Sequence, residues 1–256
     1  MKKMHLTVVL LASLLFGACS SDDGEGGSNS TPGYTETTLN KAPTWQIDWT
    51  NNQERPNWEE PTQAYENWTL MKVQIEDVLK PYVTEGDLVA VFVNNELRGV
   101  SGPNVDLETG ELIDNCRFLI KAWGNETSSQ TVNISLRYYC QQLKHIFTLS
   151  DNITLDADAE IGFDKLMVPP FTQGSEKYPV VKTVGAESML TKVGITPVSG
   201  YVVGAFVGDE CRGTITLSTT GSTSLVIYGR SGESVTLKCY DAGSKRLFTI
   251  ADAVKM

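Results

Sequence analysis

The sequence predicts an all-β fold made of two tandem immunoglobulin-like β-sandwich modules, and three observations carry that prediction. Residues 88–99 read LVAVFVNNELRG and residues 202–213 read VVGAFVGDECRG, so Phe, Val, Glu, Arg and Gly recur in register. A second stretch, Ser135 to Leu149 (SLRYYCQQLKHIFTL), matches Thr236 to Ile250 (TLKCYDAGSKRLFTI) without a gap. Between these blocks lie short β-branched runs with turn signals every 8 to 12 residues or so and no long amphipathic helix, the pattern of sandwich domains. One module is used twice, expected over 44–160 with a Trp-rich lead and over 161–256.

The elements follow in order. Val89, Val91 and Val93 alternate with Ala90 and Phe92, then Asn94-Asn95 precedes Glu96-Leu97-Arg98, which reads as strand, tight turn and strand. Gly208-Asp209 holds the same place in the second copy; both pairs tolerate the positive φ of a hairpin turn. Arg117 to Trp123 and Thr131 to Tyr139 flank a polar connection, as do Ser224 to Tyr228 and Ser234 to Tyr240, and both pairs read as hairpins. The first copy carries an insertion, placed between Val100 and Asn115, where GPNVDLETGELIDN has the Gly, Asp and Asn of an exposed loop.

The first residues have the order of a secretion signal: Lys2 and Lys3, an apolar run from Leu6 to Phe16, then Gly17-Ala18-Cys19. Small residues before a cysteine resemble the lipobox of bacterial lipoproteins, with Phe16 where an aliphatic residue is usual. Residues 1–18 are therefore expected to be removed and Cys19 lipidated, with 19–43 as anchor and acidic tether. The run is too short to span a hydrocarbon core of about 30 Å. Asp22, Asp23 and Glu25 resemble the export signal of Bacteroidetes surface lipoproteins, which implies an outer-membrane anchor facing the cell exterior. The whole chain carries a net charge of −10, and its acidity disfavours nucleic acid and anionic lipid surfaces as partners.

Four further cysteines, Cys116, Cys140, Cys211 and Cys239, are candidates for disulfides. Cys116 and Cys140 flank the proposed Gly124 to Gln130 turn at similar distances, which permits a cross-hairpin bridge. No cysteine position is shared between copies: Leu97 stands opposite Cys211 and Tyr138 opposite Cys239, so buried free thiols are the equal alternative. His145 is the only histidine outside the signal and aligns with Arg246, which points to a polar strand face rather than a catalytic base. Asp156, Asp158 and Glu160 alternate but lack the glycine and length of a calcium loop, so they read as a solvated acidic edge. No metal and no cofactor is expected.

Two groups of residues are candidates for a site. Glu96, Arg98 and Gly99 and their counterparts Glu210, Arg212 and Gly213 are the most tightly shared, together with Phe92 and Phe206. Residues two apart on a strand share a face, so each Glu and Arg can pair, and each Gly is expected to relieve a bend or bulge after the hairpin. A duplication keeps what the fold needs more readily than what a ligand needs, so this set reads as structural. The other group is aromatic: Trp45, Trp49, Trp58, Tyr65 and Trp68 crowd into the lead. Exposed indoles stack on sugar rings or anchor proteins; packed ones close an open end of the sandwich. The second copy has a shorter lead with Pro169-Pro170-Phe171 and Tyr178, so the aromatic clasp is a candidate feature of the module itself.

Taken together, PTWQIDW, RPNWEEP, AVFVNNELRG, GAFVGDECRG and VPPFTQGSEKYP resemble the tandem-sandwich surface lipoproteins of Bacteroidetes described as cell-adhesion proteins. The resemblance implies a non-catalytic binding or adhesion role with a protein or matrix partner. It also suggests an alternative, glycan binding as an accessory to an outer-membrane nutrient importer. It transfers no catalytic residue, and a hydrolase reading rests only on abundant carboxylates.

Overall fold

Alternation of apolar and polar residues sets which side of each strand is buried. In strand β2 (Asn67–Gln74), Met71 and Val73 are inaccessible while Leu70 and Lys72 are half-exposed. The computed structural model describes residues 33–61, 65–113, 117–125, 131–154, 159–219, 221 and 223–256. Among them the chain is mostly β, with a single α-helix, α1 (Ala186–Lys192).

The remaining strands are β1 (Thr35–Thr38), β3 (Leu88–Val93), β4 (Glu96–Ser101), β5 (Arg117–Gly124), β6 (Thr131–Cys140), β7 (His145–Thr154) and β8 (Glu160–Ile161). The second half adds β9 (Val180–Gly185), β10 (Val202–Val207), β11 (Glu210–Thr216), β12 (Ser224–Gly229), β13 (Ser234–Asp241) and β14 (Arg246–Lys255). They form four sheets, ordered β4-β3-β6-β7, β5-β2-β8, β1-β14-β13-β10-β11 and β12-β9. The first two sheets share one apolar core around Met71, Phe118, Ile134, Tyr138 and Phe147, and the last two share another around Val203, Leu225, Leu237 and Phe248.

The repeat is visible strand by strand. β2 to β7 correspond to β9 to β14, with β2 paired to β5 as β9 is to β12, and β3 lying between β4 and β6 as β10 lies between β11 and β13. Asn94 and Asn95 both have left-handed φ (51° and 66°), while the second copy uses Gly208 (φ 59°) alone, so two turn geometries close the same hairpin. The β6–β7 and β13–β14 turns also agree, each with a lysine at positive φ, Lys144 and Lys245.

The expected β5–β6 and β12–β13 hairpins are not formed. β5 pairs with β2 in one sheet and β6 with β3 and β7 in the other, so the connection crosses between sheets, as does that from β12 to β13. A period-two pattern shows that a strand has an inner face; it does not say which strand is its neighbour. Short connections are compatible with both outcomes.

Two segments differ from the expected module limits. Thr35–Thr38, at the end of the stretch read as tether, adds strand β1 to the edge of the second copy's sheet through β14. Residues 161–178, read as the start of the second module, serve the first core instead: Ile161 pairs with Met71, and Met167, Phe171 and Tyr178 pack against that core.

Candidate functional site

The string shared by the copies encodes a β-bulge. In β3–β4 the register shifts so that Val91 faces Gly99 and Phe92 faces Leu97, leaving Arg98 as the extra residue. In β10–β11, Ala205 faces Gly213 and Phe206 faces Cys211, leaving Arg212. The bulge turns each arginine inward, to 8 % and 2 % exposure. Both expected Glu–Arg pairs are made, at 3.4 Å for Arg98 to Glu96 and 2.7 Å for Arg212 to Glu210. Arg212 also meets both carboxylate oxygens of Glu233, at 3.1 and 3.3 Å.

Each guanidinium lies over a tyrosine ring, Arg98 over Tyr65 at 4.3 Å and Arg212 over Tyr178 at 4.5 Å. Tyr65 also donates to Glu96, and Tyr178 donates to the Asp48 carbonyl at 3.0 Å. Tyr178, expected as part of an aromatic clasp before the second module, therefore belongs with the shared Glu–Arg–Gly set, a link the sequence did not make. The signal was available: each tyrosine precedes by two residues the strand that opens its copy, β2 or β9.

The glycines have a different reason from the one expected. The bulge is present beside them, but a Cβ on Gly99 would sit 2.1 Å from the Lys121 carbonyl oxygen, and one on Gly213 2.2 Å from that of Val226. Here β4 and β5, and likewise β11 and β12, approach across the gap between the two sheets at backbone distance. Only a residue without a side chain fits.

The aromatic lead is a strap across both halves. After β1, Trp45 meets Phe206 edge-on at 5.2 Å, and Trp49, 2 % exposed, meets Tyr228 at 4.9 Å, Tyr178 at 5.6 Å and Phe147 at 6.0 Å. The backbone then bonds to the first copy, Asn51 N–H to the Leu143 carbonyl and Gln53 N–H to that of Lys144, and Trp58 meets Phe92 at 5.7 Å. Phe206 and Phe92 thus sit in matching positions, each with a tryptophan on its edge and a cation over its ring, Lys238 at 4.3 Å and Arg137 at 3.9 Å. Trp68 is separate from the strap: it faces Trp123 across β2–β5 at 5.3 Å, with Lys121 5.1 Å above it and the Trp123 indole N–H donating to Glu60.

His145 is buried rather than on a polar face. One ring nitrogen meets the Trp49 carbonyl at 2.6 Å and the other the Ser175 hydroxyl at 3.2 Å, while the ring stacks on Phe147. Burial pushes its pKa down to about 4, so it is neutral, a strut between strap, β7 and the 171–178 segment. Ser175 is 2 % exposed, so this Ser–His contact has no access for a substrate. Asp87 is buried too, raised by desolvation, and is held by the Tyr138 hydroxyl, the Gln141 N–H and the Thr84 hydroxyl.

Cys140, Cys211 and Cys239 are buried free thiols, so neither the Cys116–Cys140 nor the Cys211–Cys239 bridge is formed; Cys116 itself lies outside the described residues. Cys211 and Cys239 stand on β11 and β13, separated by β10. Cys19, Asp156 and Asp158 also lie outside the described residues, and Glu160 is exposed on β8. Among the described residues no three His, Cys, Asp or Glu side chains converge as metal ligands, and no helix is long and apolar enough to cross a membrane.

The class that fold and site define is an all-β protein of two repeated halves, each marked by a bulge arginine stacked on tyrosine and joined by an aromatic strap. Comparison with family models, curated proteins and solved structures finds no match.

Proposed function

We propose that the chain is a non-catalytic binding or adhesion lipoprotein, two tandem immunoglobulin-like β-sandwiches held through lipid on Cys19 at the outer membrane and facing outward. The observation that carries this reading is the strap. Trp45, Trp49 and Trp58, the residues best suited to an exposed recognition platform, are engaged in clamping the two halves to one another. Indoles used this way give a stiff two-module scaffold, and a stiff binding surface loses less conformational entropy on association.

Adhesion is tested by capture of the purified full chain on immobilised matrix proteins, with surface exposure on intact cells read by protease shaving of wild type and Cys19→Ser. Saturable retention on a protein ligand, with shaving lost in Cys19→Ser, is expected. Retention on no protein ligand, or substrate turnover abolished by one substitution, would overturn the reading.

The alternative, glycan capture for an importer, draws support from a different place than the tryptophan lead. A cleft of about 870 Å³ opens at one end of the first copy, lined by residues of three loops and the strap.

A further inference from the structure

We infer that this cleft is a carbohydrate-binding site for an uncharged oligosaccharide, an inference that rests on the chain being a binding protein and gives the glycan reading its location. The cleft is lined by Arg55 from the strap, Thr84, Glu85 and Gly86 from the turn before β3, Gly102, Pro103 and Val105 from the insertion after β4, and Gln141 and Gln142 from the β6–β7 turn.

The second copy supplies an internal control. It has turns at the same two places: Asp87 N–H bonds to the Thr84 carbonyl at 3.1 Å and Tyr201 N–H to the Val198 carbonyl at 3.1 Å, although Gly200 takes a left-handed φ of 90° where Gly86 does not, and Lys144 and Lys245 close the other turn at positive φ. The positions of the turns are therefore retained, but the side chains are not. Thr84, Glu85, Gln141 and Gln142 correspond to Val198, Ser199, Ala242 and Gly243, and the connection after β11 is shorter than that after β4. What the fold requires recurs in both copies. Thr84 is bound to the buried Asp87, but the exposed side chains of Glu85, Gln141 and Gln142 are present in one copy only and converge on one cleft.

Their chemistry selects the ligand. Glu85, Gln141, Gln142 and Arg55 are exposed. Arg55 donates to the Gly86 carbonyl at 2.8 Å, which ties the strap to the cleft wall and uses one of the five donors of its guanidinium. One carboxylate and one guanidinium give the lining no net charge. Two amides add donors and acceptors side by side, a match for adjacent sugar hydroxyls, which both donate and accept. Pro103 and Val105 add an apolar wall against which the C–H face of a sugar ring can pack. The volume lies within the usual range for small-molecule sites, roughly 300 to 1,000 Å³.

The test uses the full chain on an array of neutral oligosaccharides, followed by calorimetric titration of the best binder against three variants. Glu85→Ala and Gln142→Ala remove exposed polar groups. Gly102→Trp fills the cleft, at a position where a Cβ meets nothing closer than the Asp87 carbonyl at 3.8 Å. A hit is expected, with affinity at least tenfold weaker in each variant and unchanged thermal unfolding. Binding that survives all three variants would overturn the site while leaving a binding protein intact. Silence across the array would overturn the ligand class, and the matrix-protein capture described above then decides separately whether the chain binds anything.

Discussion

The guanidinium of Arg212 lies over the ring of Tyr178, 4.5 Å from its centroid, with carboxylates of Glu210 and Glu233 on its donors. Arg98 and Tyr65 repeat the relation in the first copy with a single glutamate, Glu96. A planar, delocalised cation can stack and bond in its plane at once, which an ammonium cannot. Arg212→Lys should therefore lower stability by on the order of 3 kcal/mol, the scale for disrupting a buried, hydrogen-bonded charge. Arg98→Lys, less deeply buried, should cost less. Urea unfolding of both variants checks the order; equal and negligible losses would remove the arginine's structural role.

Gly99→Ala and Gly213→Ala each place a methyl about 2 Å from a backbone carbonyl oxygen that belongs to a strand and has little room to retreat. Each should cost about 3 kcal/mol or more through overpacking. Gly194→Ala tests something different: nothing lies within 4 Å of its Cβ, so any loss there comes from its φ of 85° alone. Thermal melts should rank both close-approach glycines above it.

His145 sets an acid limit. In the unfolded chain it takes a proton near 6.5, but in the folded chain only near pH 4. Between those values the unfolded state holds the extra proton, so the histidine's contribution is complete above pH 6.5 and is lost as the pH falls towards 4, on the order of 3 kcal/mol in all. Glu76 and Asp87, raised by burial, act in the opposite sense: each contributes stability at low pH that is lost as the pH rises through its folded pKa. The measurement is therefore the difference between wild type and His145→Gln across pH 4 to 7. Stability curves of equal slope for the two proteins would rule the histidine out as the cause.

Burial pushes the Cys140 thiol up to about 11 and Cys239 up to about 12, and raises Cys211 as well. Since the thiolate is the reactive form, none of the three should react with an aromatic disulfide reagent at pH 8 in the native chain. All three should react after unfolding without reductant. Their absence from the unfolded titration would mean that they are bridged.

The sequence alone showed the duplication, the tight β3–β4 and β10–β11 turns and the Glu–Arg pairing, because each is a local matter of residue type and short spacing. Asn94-Asn95 and Gly208-Asp209 advertise positive φ whatever surrounds them. The role of Gly99 was half legible: a glycine was plainly needed, but the Lys121 carbonyl that excludes a side chain belongs to another strand. His145 looked polar because its partners, Trp49 and Ser175, are far away along the chain.

What only the tertiary structure decided was partnership between distant segments. Alternation assigned an inner face to β5 and β6 but left open whether they pair or cross between sheets. The tryptophans of the lead had two uses, recognition or packing, and composition is the same for both; contact with Phe92, Phe206 and Tyr228 distinguishes them. The cleft under Arg55 is a third case, since its walls come from the strap, an insertion and two turns. The physical reason is common to all three: backbone geometry and capping act over a few residues, whereas burial and close contact are satisfied by whichever surfaces the folded chain brings together.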